Sequence, residues 1–191
     1  GGEVLEIECN TFPGKGQLLM TGNLGNVMKE ACETALSYVK SIGPSLGINP
    51  LYFDSHDIHI HFPESATPKD GPSAGVATAM VILSAITNIR VRNDVAMTGE
   101  IDLGNSLPIG GLREKTGAAV REHIKIVFIP KENHKDVLEL PKEIRDSLKI
   151  VEVKKVMDLF SGVFFDDLAS KKKEIEKLTA PAKNSKEKKV R

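Results

Sequence analysis

The run Ser73–Thr87, SAGVATAMVILSAIT, is apolar on nearly every side when wound as a helix. Such a helix has no polar face to show to water, so it must lie at the centre of whatever the chain builds. Around it the sequence switches between two periods. Val4–Cys9 and Asp57–Phe62 alternate apolar and polar residues, as half-buried strands do. In the second, Ile58, Ile60 and Phe62 point one way and Asp57, His59 and His61 the other. Gln17–Thr21 is expected as a strand returning after the turn TFPGKGQ. Val95–Met97, Ile124–Ile129 and Lys149–Val153 read as short strands, and Ile101–Ile109 as a hairpin about Gly104-Asn105-Ser106. Asn23 is expected to cap a helix whose stripe is Leu24, Val27, Met28, Ala31, Ala35 and Val39, stopped by Gly43-Pro44. Further helices are expected over Leu112–His123, Asp136–Leu148 and Val156–Leu168. Strands alternating with helices predict a mixed α/β domain over residues 1–168.

The chain has 191 residues, 40% of them hydrophobic. That is one domain with an appendage, and a domain of this size buries about 70% of its unfolded surface without a disulfide or metal staple. Cys9 and Cys32 are the two cysteines, too few for a disulfide framework, and no CxxC or Cys/His cluster suggests zinc. Their spacing does not say whether they pair; a reducing compartment is the expectation. The 26 basic and 26 acidic residues cancel, but unevenly. Residues 171–191 hold nine basic and three acidic side chains, net +6, which leaves 17 and 23 in residues 1–170, net −6. An acidic body speaks against a nucleic-acid-binding core. The Lys-rich stretch 169–191 has almost no large apolar residues and is expected to be a disordered, solvent-facing tail. The longest apolar run, about Ala74–Thr87, is too short to span a bilayer. The opening GGEVLEIE is acidic where a signal peptide is basic, and no initiator Met precedes it, so a piece of a longer polypeptide is expected.

Chemistry concentrates in two places. The first is Pro68-Lys69-Asp70-Gly71-Pro72-Ser73-Ala74-Gly75. Pro72 suits the first turn of the apolar helix, where its missing N–H is no loss. Ser73 is then expected in that turn, near unpaired N–H groups and the positive end of the helix dipole, which suits a nucleophile and a developing oxyanion. Gly71 and Gly75 let a substrate backbone approach. The plainer reading is a helix cap at Asp70 or Ser73, with glycines that only make the turn. The pattern is not the strand-borne G-x-S-x-G elbow. No G-x-x-x-x-G-K-[ST] occurs anywhere, so no ATP site of that kind is expected.

A serine nucleophile needs a base. Lys115 lies in the helix opened by Gly110-Gly111, on the flank of an inward face expected from Leu112, Thr116, Ala119 and His123. A lysine there can snorkel to water. If the amine is instead enclosed, desolvation lowers its pKa. Moving it from ~10.4 to ~7.5 takes roughly 4 kcal/mol of differential environment, and the neutral amine can then take the serine proton. His59 and His61 share a strand face as a metal pair would, but no third ligand is near in sequence, and surface histidines are the plainer reading.

Together these stretches resemble the proteolytic domain of the Lon proteases, ATP-dependent Ser-Lys peptidases. The likeness is carried by PKDGPSAG at 68–75, AMTGEI at 96–101 and LPIGGLREK at 107–115. FPGKG at 12–16, LGINP at 46–50 and DIHIHFPESATP at 57–68 also fit, and the likeness runs from about Gly1 to about Phe165. The resemblance implies a compact mixed α/β fold with Ser73 as nucleophile and Lys115 as general base. It also implies that the Thr98 hydroxyl supports the amine, and that Asp70 holds a structural and regulatory position before the serine turn. It implies no cofactor for this chain; ATP and Mg would belong to an AAA+ module that the family carries earlier in the polypeptide. A hexameric ring, unfolded or damaged proteins as substrates and no membrane are implied as well. So is a cytoplasmic location in a bacterial source, with the mitochondrial matrix as the alternative. Arg113 stands where lysine is common, at an outward position with no expected effect on catalysis, and Asp102–Leu107 is about one residue short. A non-catalytic, ring-forming module of the same fold is the second reading.

Overall fold

The computed structural model describes residues 3–182. At its centre lies the apolar helix, α3 (Gly75–Thr87), with nine of its 13 residues buried. Its two buried threonines do not strand a polar group: the Thr78 and Thr87 hydroxyls donate to the carbonyls of Ala74 and Leu83, at 2.8 and 2.7 Å. Sides of α3 that one layer could not cover are covered by α1 (Asn26–Ile42) and by strands from two sheets.

The first sheet holds β1 (Glu8–Pro13), β2 (Leu18–Thr21) and β3 (His56–His61) in the order β1-β3-β2. Ile58 and Ile60 turn inward, and Ile7, Cys9, Leu18 and Met20 pack on the same core. Two expectations change here. The first strand begins four residues later than Val4 and runs through Phe12-Pro13, which pair with Asp57 and His56. The chain turns only at Gly14, where the N–H donates to the Ser55 carbonyl at 2.9 Å and a Cβ would run into the Asp57 carboxyl group. The second strand does not return against the first. It lies parallel to β3, which requires a crossover, and α1 supplies it.

Helix α1 starts at Asn26, with Gly25 as its N-cap, while Asn23 sits in the left-handed region at φ 61°. Its buried face is Met28, Cys32, Ala35, Leu36, Tyr38 and Val39; Val27, expected in the stripe, is 46% exposed. Gly43-Pro44 ends it as expected, and the one-turn α2 (Tyr52–Ser55) leads into β3.

The second sheet is parallel, β4 (Val95–Met97), β7 (Ile126–Pro130) and β8 (Lys149–Val153), in the order β4-β7-β8. One face, with Met97, Phe128 and Val151, joins the main core. The other, with Ala96, Val127, Ile129 and Ile150, packs with Leu112 and Ala119 of the outer helical layer and with Leu140 and Leu148 beside its helices. That layer is α4 (Leu112–Arg121), α5 (His134–Leu138) and α6 (Lys142–Ser147). The single helix expected over Asp136–Leu148 is split because Pro141, which has no N–H to give a continuing helix, caps α6 instead. The hairpin is β5 (Glu100–Ile101) with β6 (Ser106–Leu107).

The helix expected over Val156–Leu168 shrinks to a 3-10 turn and the one-turn α7 (Phe160–Val163). Beyond it the Phe165 N–H bonds the Arg90 carbonyl at 3.0 Å and draws the chain away. The tail expected from 169 instead folds at first: α8 (Lys172–Thr179) docks on the body. Ile175 and Thr179, one helical turn apart, are buried at 1% and 2% exposure. The Thr179 hydroxyl takes the Asn49 N–H at 3.0 Å and lies 2.8 Å from the Ile175 carbonyl. Composition counts too few apolar residues there, but spacing by four puts the two that matter on one side. The rest of the expected tail, 183–191, lies outside the described residues. No helix among the described residues is long and apolar enough to cross a membrane.

Candidate active site

Ser73 does not sit in the first turn of α3. The helix begins at Gly75 with Ala74 as N-cap, so Ser73 lies in the loop just ahead of it. Some of the N–H groups expected to be open there are used internally. Gly75 donates to the Pro72 carbonyl at 3.3 Å, Val76 to the Gly99 carbonyl at 3.2 Å, and Gly71 to the Asp70 carboxylate at 2.9 Å.

Those bonds fix the serine against β4. The Gly99 N–H donates to the Ser73 carbonyl at 3.0 Å, so one residue bonds both Ser73 and Val76. A side chain has no room there: a Cβ on Gly99 would lie 2.5 Å from the Ser106 hydroxyl and 3.1 Å from Val76. The preceding residue, Thr98, extends the β4 ladder by donating its N–H to the Phe128 carbonyl at 3.1 Å. Sequence reading missed Gly99 as the joint, although it lies inside AMTGEI; its signal is a glycine directly after a strand-borne threonine.

Lys115 reaches this place from α4. Its Nζ donates to the Thr98 hydroxyl at 3.5 Å, and no carboxylate within the described residues pairs with it. Enclosure of the amine by the protein pushes its pKa below the ordinary lysine value, by desolvation alone. Leu112, Thr116 and Ala119 form the buried face beside it as expected. His123 does not join that face: it falls past the helix end, exposed, at φ 59°.

Ser73, Thr98 and Lys115 line one cleft of about 230 Å³ between β4 and the segment holding Glu3, Val4, Leu5 and Ile7. The other walls are mostly apolar, from Ala74, Val95 and Met97 among others. Among the described residues no hydrogen bond joins the Lys115 amine to the Ser73 hydroxyl, and such bonds commonly tighten only when substrate is bound. A neutral amine beside a hydroxyl in an apolar cleft can accept the hydroxyl proton as the oxygen attacks a carbonyl carbon.

Asp70 lies outside the cleft lining. Its Oδ1 accepts the Met28 N–H at 3.0 Å as well as that of Gly71, so it caps the first turn of α1 from 42 residues away. The capping part of the plainer reading therefore holds, but for a different helix. His59 and His61 both meet the Thr21 hydroxyl, at 2.8 and 2.6 Å. They join no group of three or more His, Cys, Asp or Glu side chains placed to hold a metal among the described residues. Cys9 and Cys32 are free thiols, and burial pushes Cys9 up to about 12, far from a reactive thiolate.

Ser73 thus lies just ahead of a buried helix, in a cleft shared with Thr98 and Lys115. Residues 1–166 match the model of the Lon protease (S16) C-terminal proteolytic domain. The chain is 55% identical to a Lon protease of Azospirillum brasilense over 160 residues, covering 83% of this chain and 20% of that protein. A Lon protease of Brucella suis biovar 1 is 55% identical over 157 residues, 82% and 19% of the two chains. Lon protease 1 of Myxococcus xanthus is 53% identical over 160 residues, 83% and 20%. The chain therefore belongs to the Lon protease (S16) C-terminal proteolytic domain family and is a serine peptidase domain. It spans about a fifth of the length of these curated relatives.

Proposed function

We propose that this domain cleaves peptide bonds with Ser73 as nucleophile and Lys115 as general base. The observation that carries the reading is the enclosed Lys115 amine on the wall of the same cleft as Ser73. The amine in its neutral form, which enclosure favours, accepts the Ser73 proton as Oγ attacks the scissile carbonyl and later returns a proton to the leaving amine. Thr98 holds the amine in place through its hydroxyl. Asp70 acts at one remove, by tying the loop before Ser73 to the start of α1.

Substrates are unfolded or damaged proteins, delivered as extended chain by an AAA+ ATPase module of the same polypeptide. That module, not this chain, uses ATP and Mg. Six copies form a ring whose sites face an inner chamber. A bacterial cytoplasm is the location, since the relatives above are bacterial, with the mitochondrial matrix as the alternative. The peptidase body covers residues 1–168, with α8 docked on it.

The test is hydrolysis of a fluorogenic peptide. Ser73→Ala and Lys115→Met each abolish it with the fold intact, and the double variant costs little more than either single, because the two act as a unit. Near-normal turnover in Lys115→Met overturns the assignment. The isolated chain cleaves short peptides but not stably folded proteins, whose opening takes about 5–15 kcal/mol that nothing in it can supply. Its rate rises with protein concentration if the site orders only when copies meet.

A further inference from the structure

Two residues before the glycine turn, Lys69 is buried at 7% exposure with no carboxylate beside it among the described residues. Its ammonium instead donates to three main-chain carbonyls, Gly22 at 2.9 Å, Glu64 at 2.7 Å and Thr67 at 2.9 Å. An ammonium has three hydrogens, and all three are used. The carbonyls come from two separate pieces of chain, the β2–α1 corner and the loop 63–68. The Lys69 backbone is pinned to the same corner: its N–H donates to the Asn23 carbonyl at 3.0 Å, and its carbonyl accepts the Gly25 N–H at 2.7 Å. The loop so held is strained, with Glu64 in the left-handed region at φ 65°. Asp70, next in the chain, adds the α1 cap.

We infer that Lys69 is a positioning residue for the peptidase reaction: its ammonium acts as a built-in cation that gathers three carbonyls and so fixes the loop that presents Ser73. The inference rests on Ser73 being the nucleophile. Lys69 lines no part of the cleft. Its loss should therefore slow acylation without changing substrate affinity or the pH at which Lys115 titrates. A displacement of the order of 1 Å at a reacting atom is worth about 10²-fold in rate.

The experiment uses the intact chain, a fluorogenic peptide and a fluorophosphonate, which phosphonylates the serine oxygen as fluoride leaves and the hydroxyl proton passes to the base. Lys69→Met is expected to label about 10²-fold more slowly, with KM for the peptide and the midpoint of the pH profile unchanged. Lys69→Ala leaves room for propylammonium, which restores both folded signal and labelling saturably. Propyltrimethylammonium, with the same chain and charge but no N–H, does not restore them. Wild-type labelling by Lys69→Met overturns the inference. So does equal rescue by the two amines, which would mean that a hole is merely being filled. If Lys69→Ala folds only with propylammonium and then labels normally, the inference stands; if it labels with neither, the inference falls. Ser73→Ala run alongside separates the two questions: labelling that survives in it refutes the nucleophile, whatever Lys69 does.

Discussion

Thr98 offers the Lys115 amine a hydroxyl oxygen at 3.5 Å, and it does so from the end of a strand whose next residue binds the Ser73 carbonyl. The alignment of amine and serine therefore depends on one short piece of β4. Activity should rise with pH through a Lys115 pKa lying below the 10.5 of a free lysine. Thr98→Val should lower kcat by about tenfold or more with KM little changed, because the amine loses the hydroxyl that orients it. A pH–rate series on both forms checks this; a rising limb that follows His59 or His61 would move the base elsewhere.

The same depressed pKa has a sign for stability. Between the folded and unfolded pKa values of Lys115 the unfolded chain binds more protons, so stability rises with pH across that window and is lowest below it. Lys115→Met removes the penalty. It should unfold at higher denaturant than the wild type near neutral pH, and the difference should shrink as pH approaches the free-lysine value. Urea melts at several pH values would show it.

Asp70 caps α1 through Met28, and Gly25 leaves space for that carboxylate, since a Cβ there would collide with it. Asp70→Ala should cost about 1 kcal/mol, within the usual 0.5–2 for a lost N-terminal cap. Asp70→Asn keeps an oxygen and should cost less. Gly25→Ala should resemble Asp70→Ala, and the two together should add little, because one forces out what the other deletes. Chemical denaturation of the three variants and the double measures the coupling.

Ser106 carries a buried hydroxyl with no hydrogen-bond partner among the described residues, and it faces Gly99. Ser106→Ala should be neutral or stabilising, because no bond is lost and a desolvated group is removed. Gly99→Ala should destabilise and slow peptide hydrolysis, and Ser106→Ala should recover part of both by clearing the oxygen 2.5 Å from the new Cβ. Absence of any recovery would mean that Val76, not Ser106, sets the limit.

Much of the element list was readable in the chain because it rests on local periodicity: Val95–Met97 and Lys149–Val153 fall where alternation and flanks put them. The site was readable only as residue types in order. Lys115 on the flank of its helix and Ser73 near the helix start were visible, but not the two-residue offset of Ser73, which follows from its bond to Gly99. What stayed hidden is non-local. Asp70 caps a helix 42 residues earlier, β2 pairs with β3 rather than β1, and Lys69, an unremarkable loop lysine in sequence, is buried where the distant Gly22 carbonyl meets the nearby Glu64 and Thr67 carbonyls on its ammonium. Helix α8 was hidden by composition, since Lys172, Lys173 and Lys177 dominate its count while Ile175 and Thr179 decide its packing.

Ile175 at 1% exposure gives α8 a measurable grip on the body. Ile175→Ala should cost about 2–5 kcal/mol, as for other buried aliphatic truncations. Truncation after residue 170 should cost at least as much, read as a lowered melting temperature with the cleft residues untouched.

Thr179 is bonded to Gly47 and Asn49 across 132 and 130 residues of sequence. On the ribosome, the face at Gly47 that α8 covers therefore stays open for most of the time the domain takes to be made. At about 5–20 residues per second, that interval is several seconds at least. The Ser73 loop, α3 and the Lys115 helix all emerge before the segment that closes the back of the core. The nascent domain thus has its cleft walls before its frame is finished, and completion of the frame is timed by translation itself.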